Sequence, residues 1–94
     1  MKTKLENWKI GYAAAILDSI GAERSIKKEK LFEFSNDIIM WLVGKDLLRF
    51  TTMNIDGFEE RRAALTTRSR PFWDGTKLID EKIEILNAIN REVE

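Results

Sequence analysis

KDLLRFTTMNID, residues 45–56, is the stretch on which the fold turns. Leu47, Leu48, Phe50, Met53 and Ile55 supply apolar side chains, but their spacing holds to neither a helical nor a strand period. A helical turn, an extended piece and an irregular crossover all fit. Arg49-Phe50-Thr51-Thr52 is β-prone, yet no partner strand declares itself, and one strand cannot satisfy its backbone alone. Helix or loop is the expectation, and with it an all-α fold. Downstream, Asp56 and Glu59 have the spacing of a capping box, which opens a short helix running to about Leu65.

Upstream lies a helix bounded by Thr3 and Glu6, another capping-box pair, and by Gly21 at the position of a C-terminal cap. Leu5, Trp8, Tyr12, Ala15, Ile16 and Ile20 recur at steps of three and four, with Ile10, Ala13 and Leu17 widening the stripe. Gly11 marks either a helical cost or a close crossing. A second helix is expected from after Ser25 to before Gly44, its core face Leu31, Phe34, Ile38, Trp41 and Leu42. Phe32, Ile39 and Val43 give it a second apolar side, which predicts a homodimer or higher oligomer. The pairs Trp8/Tyr12 and Phe34/Trp41 read as core. Any tryptophan the core cannot hide becomes an interface.

Beyond residue 65, Thr66–Thr76 reads as a connection, with Pro71 and the Asp74-Gly75 turn pair inside it. The last helix runs from about Lys77 almost to the end, with Ile79, Ile83, Leu86, Asn90 and Val93 on one face and Leu78, Ile85 and Ile89 beside them. The expected architecture is one compact bundle of about four helices spanning residues 1–94.

Composition narrows the function. The 94 residues contain no histidine and no cysteine. Imidazole bases, Ser-His-Asp and Cys-His nucleophile systems, thiolate or imidazole metal sites and disulfides are therefore impossible. Gly44-Lys45-Asp46 fails the phosphate-loop pattern, and no Gly-x-Gly pair offers a dinucleotide turn. Asp80 and Lys82 have the acid-x-lysine spacing of some metal-dependent nucleases, with Asp74 or Asp56 as a second ligand. In a helix, however, two-residue spacing points them far apart, so they read as surface charges. Glu81, Glu84 and Glu92 suit a solvated face. No enzymatic activity and no cofactor are expected.

The net charge is zero, with 16 basic and 16 acidic residues, but it is unevenly laid out. Residues 1–30 carry +3, 31–60 carry −4, 61–76 carry +3 and 77–94 carry −2. A neutral total gives no general attraction to nucleic acid. No apolar run approaches a membrane span and no signal peptide is evident, which points to the cytoplasm.

Two basic clusters stand out. Lys27, Lys28 and Lys30 crowd one turn and form a secondary patch, with Glu23 and Glu29 nearby. Arg61, Arg62, Arg68 and Arg70 are interleaved with Thr66, Thr67 and Ser69 and followed by Phe72 and Trp73. Arginine suits planar, bidentate contact to carboxylate or phosphate, and arginine beside aromatics is the composition of protein hot spots. The six residues Arg61, Arg62, Arg68, Arg70, Phe72 and Trp73 are the candidate partner-binding surface, placed on a helix end and the loop after it. The expected function is that of a small protein-binding regulator or inhibitor, a kind of chain phages and plasmids also carry. The alternative is a nucleic-acid-binding regulator using Arg61–Arg70.

Overall fold

The computed structural model describes residues 4–31, 33–73 and 78–92, with the Trp73 side chain left out. Helix α1 (Asn7–Glu23) is followed by a short strand β1 (Ser25–Lys27), a single turn α2 (Lys28–Leu31) and α3 (Asn36–Gly44). Strands β2 (Leu48–Ile55) and β3 (Phe58–Leu65) come next, then a 3-10 turn (Arg70–Trp73) and α4 (Ile79–Asn90). The strands form one antiparallel sheet in the order β1-β3-β2. The fold is therefore mixed α and β, not an all-α bundle.

The correction begins at Asp56-Gly57. Both residues have positive φ, 52° and 83°, as the two central positions of a type I′ turn require. Glycine takes such a φ without strain, and aspartate is among the residues that tolerate it best. The turn twists with the strands it joins, so Ile55 pairs with Phe58 and the ladder runs back to Leu48 opposite Leu65. The partner of Arg49–Thr52 is thus the next segment in the chain, and no helix opens at Asp56. Arg61 and Arg62 stand in a strand, not at a helix end.

The long second helix is also replaced. Ser25 and Ile26 pair with Ala64 and Ala63 as the third strand, and only Lys28–Leu31 forms a helical turn before the chain bends into α3. Ile38, Ile39, Trp41 and Leu42 are buried, as an apolar stripe at helical spacing demands, but Phe34 is exposed. Ile39 is spent on the chain's own core, and Val43 packs partly buried against it. Ile39 and Val43 are thus taken up by the chain's own core; Phe32 lies outside the described residues.

Helix α1 buries Ile10, Ala13, Ala14, Ile16, Leu17, Ile20 and Gly21. Its stripe is rotated away from Trp8, Tyr12 and Ala15, which are exposed. The helix runs through Gly21 and ends at Arg24, whose φ is 72°. Gly21 serves a different need: a Cβ there would lie 2.5 Å from the Phe72 carbonyl oxygen. Gly11 meets nothing within 4 Å, so it marks no crossing. Glu6 makes no side-chain cap, and Thr3 lies outside the described residues.

Helix α4 packs on α1 through Leu86 and Ile89. Its buried Asn90 accepts the Leu5 N–H at 3.0 Å and donates to the Leu5 carbonyl at 2.9 Å, closing the two ends of the chain on each other. Leu78 and Ile79 are exposed and Val93 is outside the described residues. Lys82 is buried and paired with Asp18, so it is no ordinary surface charge. No helix among the described residues is long and apolar enough to cross a membrane.

Candidate functional site

Strand register sorts the arginine cluster. Antiparallel partners share a face. One row therefore holds Ile26, Ala63, Leu65 and Leu48, all in the core, and continues to Arg61 and Phe50. The opposite row holds Arg62, Glu60, Phe58, Met53 and Ile55. Arg61 and Arg62 point to different sides. Arg62 is half-buried and occupied: it donates to the Ser25 hydroxyl at 2.7 Å, the Ser25 carbonyl at 3.0 Å and Glu60 at 2.8 Å. Arg62 holds the Glu60 carboxyl below the usual range, with Lys27 adding to the effect from 3.3 Å.

Residues 66–69 form a clamp. The buried Ser69 hydroxyl donates to the Leu47 carbonyl at 2.7 Å and accepts the Thr66 N–H at 2.8 Å. The Thr66 hydroxyl reaches the Asp46 carbonyl at 2.5 Å. Arg68 donates to the Lys45 carbonyl at 3.0 Å and to Glu92 at 2.5 Å. The hydroxyls and Arg68 thus tie the end of β3 to the α3–β2 connection. Phe72 is buried in the core on α1. Arg70 is exposed and shares a shallow depression with Arg49 and Thr67. Of the six expected residues, Arg61 and Arg70 are exposed, on separate depressions, and make no ion pair or side-chain hydrogen bond among the described residues, while Arg62, Arg68 and Phe72 hold the fold together. The Trp73 side chain lies outside the described residues.

The lysine patch is divided too. Lys27 pairs with Glu60, Lys28 lies 5.2 Å over the Phe50 ring, and Lys30 is exposed on α2. Asp80 is exposed at the start of α4 while Lys82 faces Asp18, so the two diverge as helical spacing requires. Among the described residues no group of three or more acidic side chains is arranged to hold a metal ion.

A different set of residues does converge. Trp8 and Tyr12, 63% and 61% exposed, stand one turn apart on α1 with ring centroids 6.1 Å apart, edge to face. Across from them the bend before α3 brings up Glu33, Phe34 and Ser35, and α3 contributes Ile38. Together with Ala15 and Ile16 they enclose a groove of about 370 Å³, at the small end of the range for ligand pockets. Its lining is overwhelmingly apolar.

Charges frame one side of this groove. Lys9 bridges to Asp37 and lies 3.9 Å from Glu6, and its ammonium rests 5.2 Å over the Trp8 ring. The Trp8 indole N–H donates to Glu6 at 2.6 Å. The hydrogen bond from Lys9, joined by one from the Ser35 hydroxyl, holds the Asp37 carboxyl down at about 2, and the same contact raises Lys9. Lys9 and Glu33 are the charged residues lining the groove; Lys9 is already paired with Asp37 and close to Glu6, so among these described residues carboxylates outnumber the cation at the rim.

The spacing of Trp8, Tyr12, Ala15 and Ile16 shows in the sequence, but it reads as core there. The usable signal is competition. Ile10, Ala13, Ala14, Leu17, Ile20 and Gly21 form a second stripe of smaller residues, and a helix packed closely on both α4 and the sheet buries the smaller set. No protein family, characterised protein or solved structure matches the chain.

Proposed function

We propose that this chain is a small cytoplasmic protein-binding regulator or inhibitor, without catalysis of its own, that acts by occupying a segment of another protein. The observation that carries this reading is the convergence of Trp8, Tyr12 and Phe34, all exposed, on one apolar groove. Tryptophan and tyrosine dominate binding hot spots because they offer large, stiff contact area with a polar end. Folding does not require them at these positions, since the core is closed by the other stripe of α1.

The acidic rim selects the partner. An apolar side chain fills the groove, and a neighbouring arginine or lysine meets Glu33 and the aromatic rings. A basic-apolar peptide segment is the complement. The test is a selection from a random peptide display library against the whole chain. The reading expects enriched peptides with a basic residue beside a large apolar one, bound weakly by Trp8→Ala and by Glu33→Lys. Peptides that bind Trp8→Ala as well as the parent overturn it. So does nucleic-acid binding that falls steeply with salt and is lost with Arg49→Ala/Arg70→Ala, which moves the function to the arginines.

A further inference from the structure

We infer that β2 is the dimer interface of this protein, pairing antiparallel with β2 of a second copy to make one six-stranded sheet. The inference is independent of the aromatic groove. Strand β2 is the outer strand, and among the described residues its far edge has no strand, loop or side chain bonded to it. The two-residue turn makes Ile55–Phe58 a hydrogen-bonded pair. Alternation then directs the backbone N–H and C=O of Phe50, Thr52 and Asn54 outward.

Free edges in soluble proteins are normally guarded by charge, proline or a bulge. The chain has both kinds. The edge of β3 left open beyond β1 carries Glu59, Glu60 and Arg61 and is flanked by Lys27 and Lys28. The edge of β2 has no guard: Phe50-Thr51-Thr52-Met53-Asn54-Ile55 is uncharged, lacks proline and glycine, and pairs residue for residue with β3 without a bulge. Such a segment seeks another strand.

Charge and symmetry identify that strand. Arg49 stands at one end of the uncharged run and Asp56 at the other. Antiparallel self-pairing brings each Arg49 to the Asp56 end of its neighbour, whereas parallel pairing sets like charges together. A two-fold axis perpendicular to the sheet keeps each face on its own side and matches outward groups to outward groups. Centred on Thr52, it pairs Thr52 with Thr52, Phe50 with Asn54 and Thr51 with Met53, and threonine pairs of this kind stabilise sheets.

The test compares the parent with Thr52→Pro and Thr52→Lys by sedimentation equilibrium at micromolar concentration. The parent is expected at twice its 11.0 kDa mass, and both variants at the single-chain mass with unchanged circular dichroism. Proline at 52 removes an outward N–H and leaves the β2–β3 ladder whole. The chain has no cysteine, so Thr52→Cys supplies one reporter: mild oxidation is expected to link two chains through it, and not through Asn36→Cys on α3. A monomeric parent, or a dimer that persists in folded Thr52→Pro and Thr52→Lys, overturns the inference. Equal cross-linking from both cysteines does the same.

Discussion

Gly21 of α1 lies directly beneath the backbone of Phe72: a Cβ at residue 21 would meet the Phe72 carbonyl oxygen at 2.5 Å and its carbon at 3.2 Å. The contact lets the 3-10 turn after β3 seat its Phe72 ring in the core. Alanine favours a helix interior over glycine by ~1 kcal/mol, but the clash is with backbone, which cannot swing aside. Gly21→Ala is expected to destabilise by about 1–3 kcal/mol, the range for overpacking, as read from chemical denaturation. A more stable Gly21→Ala would mean that the turn does not rest on α1.

Trp41 is buried, and its indole nitrogen has no hydrogen-bond partner among the described residues. Two substitutions separate its volume from its N–H. Trp41→Ala leaves a cavity and should cost about 3–5 kcal/mol. Trp41→Phe keeps most of the packing and deletes an unsatisfied donor, so its cost should be well under half of that. Equal costs would show that the N–H is bonded in solution.

How much of this was legible in the sequence depends on the segment. In α3 and α4 it is legible in part: Ile38, Trp41, Leu42, Leu86 and Asn90 are buried at helical spacing, whereas Phe34 and Ile79, expected on the same faces, are exposed. The sheet turns on Asp56-Gly57: the Asp56/Glu59 spacing reads as a capping box, but the two residues take positive φ and form a two-residue hairpin turn. The turn prevails because β3 supplies the partner that the β-prone run of β2 lacks. The groove was hidden for another reason: α1 has two apolar stripes, and periodicity does not say which faces the core. In the arginine cluster, sequence proximity is not spatial convergence: strand alternation separates Arg61 from Arg62, and the clamp occupies Arg68.

The clamp itself is testable. Ser69→Ala strands the Thr66 N–H and the Leu47 carbonyl, both buried, and should cost about 1–3 kcal/mol. Charge reversal splits the two arginines of the loop. Arg68→Glu loses the Lys45 carbonyl and faces Glu92, so it should lower the melting temperature measurably. Arg70→Glu, exposed beside Arg49, should leave it nearly unchanged. The reverse order would place Arg68 in solvent.

Acid should act on the groove late. The Asp37 carboxyl is held at about 2, below its ordinary 3.8, by Lys9 and Ser35. A lowered carboxyl pKa stabilises the fold above the unfolded value and loses that effect as pH falls through the folded one. The Lys9–Asp37 contribution is therefore intact at neutral pH and disappears between about 3.8 and about 2. A carboxyl NMR titration of Asp37 should show a midpoint near 2, moving up toward 3.8 in Lys9→Met.

The groove serves a partner and not folding, and one paired measurement on Trp8→Ala/Tyr12→Ala tests that directly. Unfolding free energy and the affinity of a selected basic-apolar peptide are determined on the same preparation, with Trp41→Ala as the core reference. Stability should stay within ~1 kcal/mol of the parent, because both rings are mostly exposed, while affinity falls at least about tenfold, as hot-spot truncation requires. A loss of stability matching Trp41→Ala, or an affinity equal to the parent's, would contradict the account.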